Sequence, residues 1–115
     1  MSPVGNETQV DYKVVDDKDV VLTITFGQGQ IGASTVLGAA VIVGDVKSFV
    51  VGRGAALRGQ NIDIHSVVTD VNASTNLVSA DYDLTGGDHP QTIALENTVQ
   101  NEGDSDRFHV VVNFI

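Results

Sequence analysis

Apolar and polar residues alternate along most of this chain, and this pattern constrains the fold more than any other feature. Successive side chains of a β-strand point to opposite faces, so a period of two predicts strands with one buried and one solvated face. No window shows a sustained helical period. The apolar positions are Val10, Tyr12 and Val14; Val20, Leu22, Ile24 and Phe26; Val78, Ala80, Tyr82 and Leu84; Ile93, Leu95 and Val99; and Phe108, Val110, Val112 and Phe114.

The pattern predicts an all-β protein, a single-domain antiparallel β-sandwich of about eight strands, immunoglobulin-like or jelly-roll in type. A chain of 115 residues is long enough for one core and too short for two. Residues 1–7 are predicted to form a flexible N-terminal tail, and residues 8–115 the sandwich. The strands are predicted at about 8–15, 20–27, 34–44, 46–52, 61–71, 77–85, 91–99 and 107–115.

The register of paired strands can be predicted from whether the apolar residues fall at odd or even positions (their parity), because opposed residues of an antiparallel pair share a face. A three-residue loop after Asp16 would pair the first two strands, with Val14 opposite Leu22 and Tyr12 opposite Ile24. The same reasoning pairs the 61–71 strand with the 77–85 strand. The predicted partners there are Ile64 with Tyr82, Ile62 with Leu84, His65 with Asp81, and Asp63 with Asp83.

The net charge of −9 argues against nucleic acid and anionic membrane surfaces as partners, because both attract clustered positive charge. No apolar stretch approaches the roughly 20 residues of a membrane-spanning helix, so membrane insertion is not expected. The chain has no cysteine, which excludes disulfides and thiolate metal sites. The compartment stays open: cytoplasmic, or extracellular after removal of a signal.

The 34–44 segment breaks the alternation, since it is apolar on both parities. A strand that is apolar on both faces is covered on both faces. The cover is either the protein's own loops or another molecule. The second alternative predicts an interface at Val36, Leu37, Ala39, Val41 and Val43.

Positive charge is concentrated in one segment. Residues 46–62 contain no acid, yet they hold three of the six basic residues: Lys47, Arg53 and Arg58. These side chains are predicted to contact an anion or a partner, because guanidinium groups bind carboxylates and phosphates in a bidentate way. The alternatives are a flexible crossover between sheets and a salt-sensitive contact with an acidic loop of another copy.

Acidic loops are the candidate metal ligands. Asp17, Asp19, Asp104 and Asp106 would bind calcium if their loops converged, since calcium takes several oxygen ligands. Aspartate is also common in turns for conformational reasons. His65 beside Asp81 or Asp83 would bind a metal or act as a base, or it would form only a solvated ion pair. No cofactor is otherwise expected.

Nucleophilic catalysis has no support in the sequence, which lacks cysteine and a Gly-x-Ser-x-Gly elbow. We therefore expect a non-catalytic protein-interaction module that presents loops or a sheet face to a protein partner. One alternative is a self-assembling structural subunit that associates through the 34–44 strand as a homo-oligomer. A second alternative is a calcium- or carbohydrate-binding accessory domain.

Overall fold

The computed structural model describes residues 7–27, 31–38, 41–44, 47–69, 77–99 and 103–115. Within this part the protein is an all-β sandwich, as the alternation predicted, with one short helical turn. The elements are β1 (Glu7–Tyr12), β2 (Asp19–Phe26), β3 (Ile31–Gly38), β4 (Val41–Gly44), β5 (Ser48–Arg53), α1 (Gly54–Leu57), β6 (Asn61–Thr69), β7 (Leu77–Thr85), β8 (Gln91–Thr98) and β9 (Ser105–Phe114).

The strands form two sheets. The five-stranded sheet has the order β1-β9-β6-β3-β4, and the four-stranded sheet has the order β5-β2-β7-β8. All neighbours are antiparallel except β1 and β9, which are parallel. Only the connections β3–β4 and β7–β8 join consecutive strands within a sheet. The other connections between consecutive strands cross from one sheet to the other.

The two ends of the sandwich carry different loops. At one end, termed the Gly54 end, β5 finishes, α1 follows and β6 begins; β2 also begins there, because Asp19 pairs with Arg53. At the opposite end, termed the Ser105 end, β9 begins and β6 finishes, because Thr69 pairs with Ser105. The two ends are therefore separated by the length of the strands.

Alternating apolar side chains fill the space between the sheets. In β9 the four predicted core residues Phe108, Val110, Val112 and Phe114 are at most 1% exposed, while the residues between them are partly exposed. Burial of each such side chain contributes roughly 1.5–3 kcal/mol. The largest fully buried side chains are Tyr12, Tyr82, Phe108, Phe114, Leu22, Ile62, Ile64 and Leu84.

The predicted strand pairings are wrong, although the predicted faces are right. β1 and β2 belong to different sheets, so Tyr12 and Ile24 are not cross-strand partners. β6 and β7 are likewise in different sheets, and the predicted pairs His65–Asp81 and Asp63–Asp83 do not form. Parity correctly predicted which residues face the core. The strands predicted to be neighbours in one sheet lie instead in different sheets, on opposite sides of that core.

The predicted single strand over 34–44 is also wrong. The structure divides it into β3 and β4, which form an antiparallel hairpin in which Val36 pairs with Val43 and Leu37 with Ile42. Gly38 ends β3 with a positive φ of 115°, a conformation that favours glycine. Inward-facing residues are even-numbered in β3 and their register partners in β4 are odd-numbered, so the apolar run does not require one strand to be covered on both faces.

A chain of hydroxyl groups connects the two sheets through the core. Tyr82 in β7 donates its phenolic hydrogen to Ser66 Oγ in β6 at 2.8 Å, and Ser66 Oγ lies 2.6 Å from Ser34 Oγ in β3. All three residues are at most 1% exposed. Burial raises the pKa of Tyr82 to about 12, and the hydrogen bond with Ser66 opposes this in part.

Gly86 lies where its backbone packs closely against the chain, and Gly59 provides a matched control. Its φ is +90°, and a Cβ atom there would overlap the carbonyl oxygen of Asp19. Gly59 has a similar φ of +83° with nothing within 4 Å of a built Cβ. We expect Gly86→Ala to lower the free energy of unfolding by more than about 3 kcal/mol and Gly59→Ala by about 1 kcal/mol, measured by urea unfolding. Equal losses would show that the contact with Asp19 is absent.

Ionisation of Tyr82 should couple to unfolding. The pKa of Tyr82 is about 12 in the folded protein and 10.0 for an ordinary tyrosine, so its contribution to stability is complete below pH 10 and is lost as pH rises toward 12. The loss is on the order of 2–3 kcal/mol. Tyrosinate absorbance in the Tyr12→Phe variant reports Tyr82 alone, since the chain has two tyrosines. Titration of the folded variant with a midpoint near 10.0 would contradict this.

Candidate functional site

The predicted basic segment contacts the chain's own acidic loop. At the Gly54 end, Arg53 Nε lies 2.9 Å from Asp19 Oδ1, and Arg58 Nη2 bonds Asp16 Oδ1. Arg58 also approaches the carbonyl oxygen of Val14 at 3.5 Å. The acidic loop that one alternative placed on another copy is thus supplied within one chain. These exposed pairs are each worth at most about 1 kcal/mol.

Lys47 lies apart from the two arginines. It precedes β5, whereas Arg53 ends that strand, so Lys47 is at the Ser105 end and the arginines are at the Gly54 end. Arg53 lies six residues after Lys47, about 20 Å along the strand. A single anion site formed by Lys47, Arg53 and Arg58 is therefore not present in this arrangement.

The four candidate calcium ligands are divided between the two ends. Asp17 and Asp19 lie at the Gly54 end, while Asp104 and Asp106 lie at the Ser105 end. Asp106 Oδ2 accepts a hydrogen bond of 2.6 Å from Asn97 Nδ2. Together these four aspartates cannot ligate one ion. With the side chains in their observed orientations, no three His, Asp or Glu residues of the described part of the chain are placed to hold a metal ion.

The predicted apolar interface is only partly accessible. Val36 is completely buried in the core, which removes it from any surface of the monomer, whereas Leu37 is 39% exposed. Ala39 lies outside the described residues, as do the side chains of Val41 and Val43. The interface stays a prediction. Of its five residues, Leu37 is the one whose side chain is described and exposed.

The edges of the two sheets differ in their protection. Natural sheets guard free edges with charges, prolines or bulges, because unpaired backbone groups attract further strands. Edge strand β1 carries Glu7 and Asp11, and β8 carries Glu96. Edge strand β5 ends in Arg53, and the register of β2 against it shifts. Edge strand β4, with the sequence Val-Ile-Val-Gly, has no charged residue and no register shift against β3.

Two histidines stack on the outer face of the five-stranded sheet. His65 in β6 and His109 in β9 are direct cross-strand partners, with ring centroids 4.3 Å apart and an angle of 9° between the rings. His109 Nδ1 lies 3.5 Å from Glu7 Oε2, and its Nε2 lies 3.5 Å from Asp63 Oδ1. A carboxylate thus stands near each nitrogen of His109.

The histidine pair borders two adjoining open depressions on this face. One, of about 300 Å³, is lined by Glu7, His65, Val67, Arg107 and His109, together with Ser66 and Phe108. The other, of about 470 Å³, also includes Glu7 and His109.

This cluster was not predicted from the sequence. The odd parity of both histidines and their outward direction were visible, but the partners assigned to His65 were Asp81 and Asp83. His89, the third histidine, lies far from the pair in an exposed turn beside Asp88 at the Gly54 end. Only the pairing of β6 with β9 brings His65 and His109 together.

No helix among the described residues is long and apolar enough to cross a membrane. Comparison of the chain with protein-family models, with curated proteins and with solved structures finds no match.

Proposed function

We propose that this protein is a non-catalytic interaction module that takes up an extended segment of a partner protein along the free edge of β4. The observation that carries the proposal is the uncharged, unshifted edge of that strand, beside three edges that are charged. A partner strand added there would satisfy the backbone groups of β4 that pair with no other described strand, and it would add a sixth strand to the five-stranded sheet.

An exposed apolar side chain next to this edge supports the proposal. Leu37, in the strand that pairs with β4, is 39% exposed. It lies on the outer face, where a segment that extends the sheet would place alternate side chains. Strand addition gives affinity through main-chain hydrogen bonds, and such apolar contacts give selectivity.

Charge favours a neutral or basic partner segment. The chain carries a net charge of −9, so an acidic segment would be repelled. A segment with few acids would therefore be repelled less than an acidic one.

Self-assembly through the same edge is the second candidate function. Two copies of β4 related by a two-fold axis would pair antiparallel, which is the isologous arrangement common among homodimers. The alternative edges would set Glu7 and Asp11, or Glu96, against the same acids of the second copy. With four residues in β4, the paired segment is short, and a weak dimer is expected.

Peptide selection tests the uptake of a partner strand. We expect extended peptides of about eight residues, selected from a random library against the folded protein, to shift backbone amide resonances of β4 and β3. Ile42→Lys introduces a charge at a β4 position whose partner, Leu37, is exposed. It should weaken peptide binding at least about tenfold.

The matched control is Ala94→Lys, an exposed position in the charged edge strand β8, which should leave peptide affinity unchanged. Peptides that shift only amides of β1, β5 or β8, or that bind Ile42→Lys and wild type equally, would contradict the proposal.

Light scattering over a range of protein concentrations tests self-assembly separately. A dimer that Ile42→Lys dissociates and Ala94→Lys retains would support it. A monomeric mass at every concentration would exclude self-assembly and would leave the proposal of a partner strand to the peptide experiment.

A further inference from the structure

Four potential metal ligands lie side by side on the outer face of the five-stranded sheet. Glu7, His109 and His65 are consecutive register partners across β1, β9 and β6. Asp63 precedes His65 by two positions in β6 and therefore points to the same face. Neighbouring strands lie about 4.8 Å apart, a spacing that lets cross-strand side chains share one ion.

One nitrogen of this cluster has no hydrogen-bond partner. His109 Nε2 is shielded from solvent, yet it neither donates nor accepts a hydrogen bond. Its neighbour, Asp63 Oδ1, lies 3.5 Å away, beyond the 2.7–3.2 Å of an ordinary N–H···O bond. A nitrogen that is shielded from water and has no partner destabilises the folded protein unless another group or ion binds to it.

The distance between these two atoms fits two ligands of a single ion. Zinc binds histidine nitrogen and carboxylate oxygen at about 2.0–2.2 Å in tetrahedral geometry, which places two such donors about 3.4 Å apart. The 3.5 Å between His109 Nε2 and Asp63 Oδ1 matches that separation.

We propose that His109 Nε2, Asp63 and His65 form a site for a divalent transition-metal ion, with Zn²⁺ as the best-suited ion. Two donors are already at ligand spacing, and His65 becomes the third when its ring turns out of the stack. The turn is required because nearly parallel rings, 9° apart, direct their nitrogen lone pairs side by side. Water completes the four ligands.

Glu7 has a separate part in this site. Its Oε2 lies 3.5 Å from Nδ1 of His109, the nitrogen opposite the proposed donor. Metal-bound histidines usually donate that second N–H to a carboxylate, which fixes the ring and its tautomer. The order carboxylate, histidine, metal is thus available across β1 and β9.

The ligand types select the class of ion. Two imidazoles with one carboxylate suit zinc, copper or nickel, whereas calcium takes six to eight oxygen ligands. The site is independent of the β4 edge, because its residues lie in β1, β6 and β9.

Isothermal titration with ZnCl₂ tests the proposal on the full chain. We expect one zinc ion per protein, and we expect His65→Ala and His109→Ala each to weaken its affinity at least about tenfold, with Glu7→Gln giving a smaller loss. His89→Ala, which removes a histidine in an exposed turn, is the matched control and should bind like wild type. Calcium chloride should give no binding at this site.

A second measurement uses the unaltered protein and does not depend on the folding of variants. Zinc should shift the imidazole resonances of His65 and His109 in NMR spectra and leave those of His89 in place. Absence of zinc binding, a shift confined to His89, or equal affinity in His109→Ala and wild type would overturn the proposal.

Discussion

Burial of two apolar sheet faces against each other is the interaction on which the rest of this structure depends. The buried apolar side chains of the described residues form one cluster between the sheets, and those of β9 are at most 1% exposed. The hydroxyl chain from Tyr82 to Ser66 and Ser34 fits within this layer, where each buried oxygen has a partner. With both inner faces occupied, any function falls to the outer faces, the edges and the loops.

The alternation in the sequence was sufficient to predict the fold class, because parity determines which side chains are buried. Phe108, Val110 and Tyr82 are buried as the pattern indicated. Strand neighbours could not be predicted in the same way, since parity says which face a residue occupies and nothing about the strand beside it. Pairing β6 with β9, and not with β7, depends on the packing of the whole chain.

The candidate sites show the same division between local and long-range information. The acidic turn and the Arg53–Arg58 segment were both visible in the sequence, and their contact follows only from the juxtaposition of the loop before β2 with α1. His65 and His109 were visible as outward residues, but their stacking required the register of two distant strands. Prediction of the β4 edge required recognising that the apolar run 34–44 divides into two strands, for which the residue pattern gave little guidance.

The proposed function depends on β4 being a free edge, and amide hydrogen exchange of the free protein measures this directly. If the edge is free, amides of β4 that do not face β3 exchange rapidly, while those of the central strands β6 and β9 are strongly protected. Protection of every β4 amide in the monomer, as strong as that of β6, would show that the edge is already covered and would exclude strand addition there.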